Sequence, residues 1–187
     1  MSRLRTLVVP FVALALLAIG AATANAASVG TDVLLAPVDA CPGSDQTGAP
    51  ITAQLAQMSC LVAYARAQAG LPKLREVKTL DKAASLKIAA DLRCGAFTHT
   101  PCGQPFQNVF AAAGYPMGGG YTVGENLAYG QDSLGSPQQI MEAWLNSPEH
   151  RANLLSRSWK VFGLGVRQTT FLGYDGVAIW ANEFAGP

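Results

Sequence analysis

Charged residues make up only 13% of this 187-residue chain, and aromatic residues only 8%. Basic and acidic residues nearly cancel, at 13 against 12, so the chain lacks the excess of Lys and Arg that nucleic acids and anionic membranes attract. Hydrophobic residues still make up 50%, which excludes disordered and collagen-like classes. The composition predicts a folded protein with no nucleic-acid partner.

A hydrophobic run long enough to span a membrane is also missing near the start of the chain. The apolar run Leu7–Ile19 has 13 residues, whereas a spanning helix needs about 17–25. Arg3 and Arg5 precede it, and small residues at 24–26 follow. We therefore predict a secretory signal peptide over residues 1–26, cleaved after Ala26, and a secreted protein with no stable membrane anchor. The alternative is an uncleaved anchor, which the short run and Pro10 argue against.

The signatures of several enzyme classes are absent. The sequence has no G-x-S-x-G elbow and no H-E-x-x-H motif, and the glycines at 118–120 do not lie between a strand and a helix in the dinucleotide-binding manner. No nucleophile stands out, and the four cysteines look committed to disulfides. These absences speak against a serine hydrolase, a zincin metalloprotease and a cysteine protease.

The four cysteines, an even count in an exported chain, predict two disulfides. Three pairings are possible for Cys41, Cys60, Cys94 and Cys102. The spacing favours Cys94–Cys102, which closes a short loop, and leaves Cys41–Cys60 to tie an N-terminal arm to the first helix. A zinc–thiolate site is the alternative, but no pair has the C-x₂₋₄-C spacing.

The order of predicted elements defines the fold class. Residues 27–50 have no sustained periodicity and are predicted to be an exposed arm, and residues 51–187 form the domain. Helices are predicted over Ile51–Ala69, from Thr79 to Cys94, from Pro105 to Gly114, from Ser136-Pro137 onward and over Glu149–Leu155, and strands over Tyr121–Tyr129, Val161–Gln168 and Gly176–Phe184. Trp144, Trp159 and Trp180 are assigned to the core. This order predicts an α+β fold with helices covering a mostly antiparallel sheet.

The chain has only two histidines, and each lies in a short polar motif. His99 lies inside the loop that the Cys94–Cys102 bridge would hold rigid, and His150 lies in the first turn of a predicted helix. Rigid placement suits a metal ligand or a general base. A helix N-terminus also lowers the pKa of an imidazole, which favours the neutral, metal-binding form. The alternative is that His150 is an ordinary surface residue.

Two carboxylates lie near these motifs in the sequence. Glu125 precedes residues with strand character, where a charged side chain points inward only if it is paired. Glu149 directly precedes His150 and is equally well explained as an acid that complements a helix dipole. Glu125 is therefore the stronger candidate for a functional carboxylate.

Five segments in a fixed order resemble a known family. They are Phe97-Thr98-His99-Thr100, Gly124–Gly130 (GENLAYG), Ala143–Leu155 (AWLNSPEHRANLL), Phe162–Val166 (FGLGV) and Trp180–Phe184 (WANEF). Together they are similar to the bacterial branch of the CAP superfamily, or SCP-like proteins, which includes cysteine-rich secretory proteins, antigen 5 and pathogenesis-related proteins. The resemblance runs from about Leu55 to Phe184. It implies a three-layer α-β-α sandwich with a central antiparallel sheet, and secretion.

The resemblance also implies a cleft lined by two histidines and two glutamates, which in some members holds zinc or another divalent ion. By motif, His99, Glu125 and His150 match three of these four residues and form the candidate metal site. The position of the second glutamate is Ser147 here, and the nearby Glu149 does not match the motif. A missing carboxylate should lower metal affinity.

Three functions are compatible with the sequence. The first is a secreted, non-enzymatic binding module for a lipid, a cell-wall component or a protein, with no required cofactor. The second is a metal-assisted hydrolase or peptidase, in which His99 and His150 hold the ion and Glu125 is the general base. The third is a structural network, in which Glu125 and the histidines stabilise the junction of sheet and helices.

Overall fold

The computed structural model describes residues 29–187, so the predicted signal peptide over residues 1–26 and its cleavage site lie outside the described residues. The described part contains helices α1 (Thr31–Leu34), α2 (Ile51–Gln68), α3 (Lys78–Cys94), α4 (Asn108–Ala113), α5 (Pro137–Asn146) and α6 (Pro148–Leu154). Its strands are β1 (Arg75–Glu76), β2 (Thr122–Gln131), β3 (Val161–Phe171) and β4 (Tyr174–Gly186). Short 3₁₀ turns lie at Pro101–Gly103 and Asp132–Gly135.

The four strands form one sheet in the order β1-β3-β4-β2. β4 pairs antiparallel with both β2 and β3, and only the two-residue β1 runs parallel, beside β3. The predicted α+β class with a mostly antiparallel sheet is confirmed. The strand β2 lies at an edge of the sheet, and this placement matters because it carries Glu125.

Helices cover both faces of the sheet and give the three layers. On one face, Leu127 of β2 and Ile179 of β4 pack against Ala84 and Ile88 of α3. On the other face, a larger apolar cluster joins residues of α2, α5 and α6 to the sheet, and all three tryptophans are buried as predicted. Because side chains alternate along a strand, neighbouring residues of β2 point into different helical layers.

The helix α3 lies very close to β3, and glycines make that approach possible. A Cβ atom at Gly163 would collide with the backbone of Leu80 and Asp81, and one at Gly165 would lie 3.0 Å from Ala84. The carboxylate of Asp81 also accepts a hydrogen bond from the backbone N–H of Leu164, at 3.0 Å. The two contacts fix where α3 lies on the sheet.

Both predicted disulfides are present, Cys41–Cys60 and Cys94–Cys102. The N-terminal arm is less exposed than predicted, because Leu34 and Ala36 are buried in the same cluster as α2 and α5. The side-chain amide of Gln138 on α5 donates to the carbonyl of Ala36 at 2.8 Å. The arm has no periodicity of its own, so its burial depends on a surface that only the folded domain supplies.

Most predicted boundaries hold within one or two residues, but α4 starts three residues later than predicted and β3 ends at Phe171 rather than Gln168. Ser136 caps α5 as predicted, accepting a hydrogen bond from the N–H of Gln139 at 3.3 Å. Thr79 is not the cap of α3: the helix starts at Lys78 after the extended residue Val77, without a side-chain cap. The helix α4 starts at Asn108 rather than Pro105. Both corrections shorten or shift a helix end without changing its buried face.

We expect Gly163→Ala to destabilise the domain strongly, because the added methyl group has to push α3 away from the sheet. Overpacking of this kind costs about 3 kcal/mol, or a fall of about 6–10 °C in Tm for a domain of this size. Thermal melting followed by circular dichroism measures it. The control is Gly118→Ala, where a Cβ meets no atom within 4 Å. Equal Tm values for the two variants would contradict the close approach of α3 to β3.

Candidate functional site

The centre of the site is a contact between His99 and Glu125. The ring Nδ1 of His99 lies 2.6 Å from Oε1 of Glu125, a short, charge-assisted hydrogen bond. The carboxylate is almost fully buried, whereas the imidazole side chain is 55% exposed. This contact raises the pKa of His99 above its usual value, against the opposing effect of partial burial. The site thus presents an oriented imidazole to solvent and keeps its acid inside.

Two interactions fix the segment that carries His99. The Cys94–Cys102 disulfide closes the loop in which His99 lies. The ammonium of Lys87 on α3 donates a hydrogen bond to the backbone carbonyl of Thr98, the residue just before. The segment has no regular secondary structure around His99, so these two links replace the backbone ladder that a helix or strand would supply.

Glu125 belongs to a buried cluster of charges between β2, β4 and α3. Its Oε1 lies 3.5 Å from Nζ of Lys87, and the same ammonium lies 3.7 Å from Oδ1 of Asp91, one helical turn further along α3. Burial raises the pKa of Asp91 to about 6, even though the nearby Lys87 acts in the opposite direction. Directly across from Glu125 in the β2–β4 register is Glu183.

Glu183 is the residue of this cluster that sequence reasoning missed. It is completely buried, and burial together with the adjacent charge of Glu125 raises its pKa well above the usual value. Neither of its oxygens meets a donor among the described residues. The raised pKa favours a protonated Glu183, whose own O–H can donate a hydrogen bond to Glu125. The feature of the sequence that could have pointed to Glu183 is the presence of a charged residue within the largely apolar segment Trp180–Phe184.

His150 reaches the same region from the opposite helical layer. It lies in the first turn of α6, as predicted, and its backbone carbonyl accepts a hydrogen bond from the amide of Asn126 at 2.9 Å. Partial burial lowers the pKa of His150, and the charge on nearby His99 lowers it further. The two histidines therefore come to β2 from different helical layers, and the lowered pKa favours the neutral form of His150.

Side chains of α5 and α6 cover the edge of β2. The amide of Asn153 donates to the carbonyl of Glu125 at 3.1 Å, and the indole N–H of Trp144 donates to the carbonyl of Leu127 at 3.1 Å. These bonds satisfy backbone groups that an edge strand would leave open to a further strand. The conspicuous segment Ala143–Leu155 thus serves two purposes, since it protects the sheet edge and presents His150.

The two residues weighed at the missing acidic position do not enter the cluster. Ser147 lies at the N-cap of α6 without a side-chain capping bond, and Glu149 is exposed in the first turn of that helix. The exposure of Glu149 agrees with its interpretation as an acid that complements the helix dipole. The second buried acid of the site is Glu183, which comes from β4.

An aromatic row adjoins the loop that carries His99. Phe97, two residues before His99, packs edge-on against Tyr129 with ring centroids 4.8 Å apart, and Tyr129 packs edge-on against Phe171 at 6.1 Å. Tyr129 is 45% exposed. Phe97 is half-buried and Phe171 is buried, so the ring of Tyr129 is the part of this row that faces solvent.

The arrangement fits the predicted three-residue metal site poorly. Oε1 of Glu125 already contacts the imidazole of His99 and the ammonium of Lys87, and Oε2 is buried. Within residues 29–187, no group of three or more His, Cys, Asp or Glu side chains is arranged to hold a metal ion. The free ring nitrogens of His99 and His150 are the donors left over, and metal binding there stays a prediction.

A three-layer α-β-α sandwich with a mostly antiparallel sheet is the fold of SCP domains. The model of the CAP family, described as the cysteine-rich secretory protein family, matches residues 61–182. The chain belongs to this family. The resemblance seen in the five sequence motifs is confirmed.

Known relatives agree with this assignment. The uncharacterised protein YkwD of Bacillus subtilis is 30% identical over 169 residues, which cover 88% of this chain and 60% of that protein, so the chain spans well under the full length of its relative. An outer surface protein of Borrelia burgdorferi has the same fold, with a TM-score of 0.61 at 22% identity over 74% of this chain and 96% of that one. An extracellular SCP-domain protein of Bacillus anthracis gives a TM-score of 0.60 at 21% identity over 73% of this chain and 41% of that one.

We expect the two histidines to affect stability with opposite pH dependence. Because the pKa of His99 is raised in the folded state, its stabilising contribution is complete below the ordinary histidine pKa and is lost as pH rises through the raised value. The pKa of His150 is lowered, so its contribution is lost as pH falls below the ordinary value.

Melting of His99→Gln and His150→Gln from pH 5 to 8 measures both effects, and each variant is the control for the other. The gap in Tm between wild type and His99→Gln should be largest at pH 5, and the gap for His150→Gln should be largest at pH 8. Parallel pH profiles for the two variants would contradict the assigned environments.

Proposed function

We propose that this chain is an exported, non-enzymatic binding module that takes a cell-wall component over the cleft at His99. The observation that carries the proposal is the exposed ring of Tyr129, held edge-on between Phe97 and the buried Phe171, near an oriented, exposed imidazole. Ring faces pack against the apolar faces of a ligand while the phenol and the imidazole take its hydroxyl or acyl groups. A lipid or a protein partner is the other outcome of the test below.

The surroundings of Glu125 favour binding over hydrolysis. In the hydrolase alternative this residue has to remove a proton from a metal-bound water, which requires access to it. It is only 5% exposed, and its contacts are with His99 and Lys87. Its position suits a residue that orients the imidazole rather than one that meets a substrate.

A single observation favours the enzymatic alternative in a modified form. A carboxylate that accepts a hydrogen bond from one ring nitrogen of a histidine, here at 2.6 Å, is the arrangement that orients a general base. In that version His99, rather than Glu125, is the base. No serine or cysteine nucleophile is assigned beside it, and both disulfides use up all four cysteines.

Export is part of the proposal. Two disulfides are typical of proteins that fold in an oxidising compartment. The two structural neighbours described above are named as an extracellular protein and an outer surface protein. No helix among residues 29–187 combines the length and the apolar character needed to cross a bilayer.

Substitution of Tyr129 tests the binding surface. We expect Tyr129→Ala to weaken binding to purified peptidoglycan fragments by about tenfold, since aromatic anchors at binding surfaces are worth about 1–2 kcal/mol or more. The matched control is Tyr121→Ala, which removes a tyrosine that is also 45% exposed but packs against Tyr115 instead. Calorimetric titration gives both affinities. Equal affinity of the two variants rules out the aromatic row as the binding surface, and binding only to lipid vesicles or to protein changes the ligand class.

The enzymatic alternative has its own test. Hydrolysis of a panel of peptides, esters and cell-wall fragments is measured with and without a chelator, for wild type, Glu125→Gln and His99→Gln. We expect no turnover above background for any of the three. Turnover that is lost in His99→Gln would establish the histidine as a base, and turnover that is also lost with chelator would establish the metal-dependent version.

A further inference from the structure

Lys87 is fully buried, and its ammonium lies among oxygen atoms of three segments. It donates to the carbonyl of Thr98, and it lies 3.5 Å from Oε1 of Glu125 and 3.7 Å from Oδ1 of Asp91. A buried ammonium is costly unless it is paired and hydrogen-bonded. Carbonyl and carboxylate oxygens are also the ligands that hard metal cations take. The ammonium therefore occupies a position with the surroundings of a cation site.

The carboxyl groups around this position outnumber their cations. Asp91, Glu125 and Glu183 are all buried, and Lys87 is the only lysine or arginine that forms an ion pair with any of them within residues 29–187. In the described part of the chain, neither the oxygens of Glu183 nor Oε2 of Glu125 accept a hydrogen bond from a lysine, an arginine or the backbone. Removing the one ammonium would leave an unbalanced, buried acidic cavity.

We propose that Lys87 is the resident cation of the site, so that the contact between His99 and Glu125 is held together without a bound metal ion. The ammonium neutralises the acid cluster from inside and, through the carbonyl of Thr98, also holds the loop that presents the imidazole. This role does not depend on which ligand the cleft takes, so it stands or falls separately from the binding function proposed above.

The decisive experiment is Lys87→Ala with added Ca²⁺. Shortening the side chain removes the charge and opens space among the oxygens, so we expect Tm to fall by about 10 °C, the effect of leaving a buried charge unpaired in a domain of this size. Millimolar Ca²⁺, which prefers oxygen ligands to imidazole, should recover much of that loss in Lys87→Ala. It should leave the wild-type Tm unchanged.

The matched control is Lys82→Ala, which removes an exposed lysine from the same helix and should change neither the Tm nor its response to Ca²⁺. Three results overturn the proposal: an unchanged Tm in Lys87→Ala, a lowered Tm that Ca²⁺ does not raise, or an equal rise in the wild type. The last result would mean that the cluster takes a metal ion beside Lys87.

A second pair of variants decides the matter if Lys87→Ala does not fold. Lys87→Met keeps most of the side-chain volume and loses the charge, so it should melt well below wild type. Adding Asp91→Asn removes one of the unbalanced acids and should raise the Tm of Lys87→Met by more than it changes the Tm of the wild type, where the ammonium of Lys87 already offsets part of that charge. An equal change in both backgrounds shows that the charge of Lys87 is not what balances the cluster.

Discussion

The side-by-side burial of two glutamates on neighbouring strands constrains the rest of the site. Glu125 and Glu183 are directly opposite in the β2–β4 register, beneath α3 and out of contact with water. Two like charges cannot both be held there without compensation. Lys87 supplies a cation, His99 supplies a hydrogen bond from outside, and burial raises the pKa of Glu183, which favours its uncharged form. The imidazole of His99 is thus the solvent-exposed member of an otherwise buried cluster of charged side chains.

The layers of the fold explain why this arrangement forms at the edge of the sheet. Because α3 approaches β3 over Gly163 and Gly165, Lys87 comes within reach of β2. On the other face, Asn126 holds the carbonyl of His150, so alternate residues of one strand link both helical layers. The two histidines lie near enough for the charge of His99 to lower the pKa of His150, although they come from separate layers and lie far apart in sequence.

The binding, hydrolase and structural hypotheses all involve the same buried charges. They differ in whether the imidazole of His99 contacts a ligand, a substrate or only the protein itself. The structural hypothesis is partly contained in the other two, since the buried charges link β2 to α3 whatever the surface does. Solvent access distinguishes a binding module from an enzyme here, because the carboxylate of Glu125 is buried whereas the imidazole of His99 is exposed. A ligand approaching from solvent meets His99 and the ring of Tyr129 before it meets any carboxylate.

Local sequence features were sufficient for much of the fold and for part of the site. Helical periodicity placed α2, the Ser136-Pro137 pair placed the start of α5, and cysteine spacing gave both disulfides. The sequence identified three candidate site residues, His99, Glu125 and His150, because histidines are few and because the motifs around these residues resemble those of a family. These features depend on neighbours in the chain, so a single sequence contains them.

Only the tertiary structure determined the roles of Lys87, Asp91 and Glu183. On α3, Lys87 and Asp91 look like an ordinary lysine and aspartate one turn apart, and Glu183 looks like one charge in an apolar strand. Their burial depends on strand register and on the distance of one helix from the sheet, which no local pattern encodes. The sequence by itself determined which elements form and which side chains are unusual. Folding determined which charges face one another, because burial and pairing of charge exist only once distant segments are packed together.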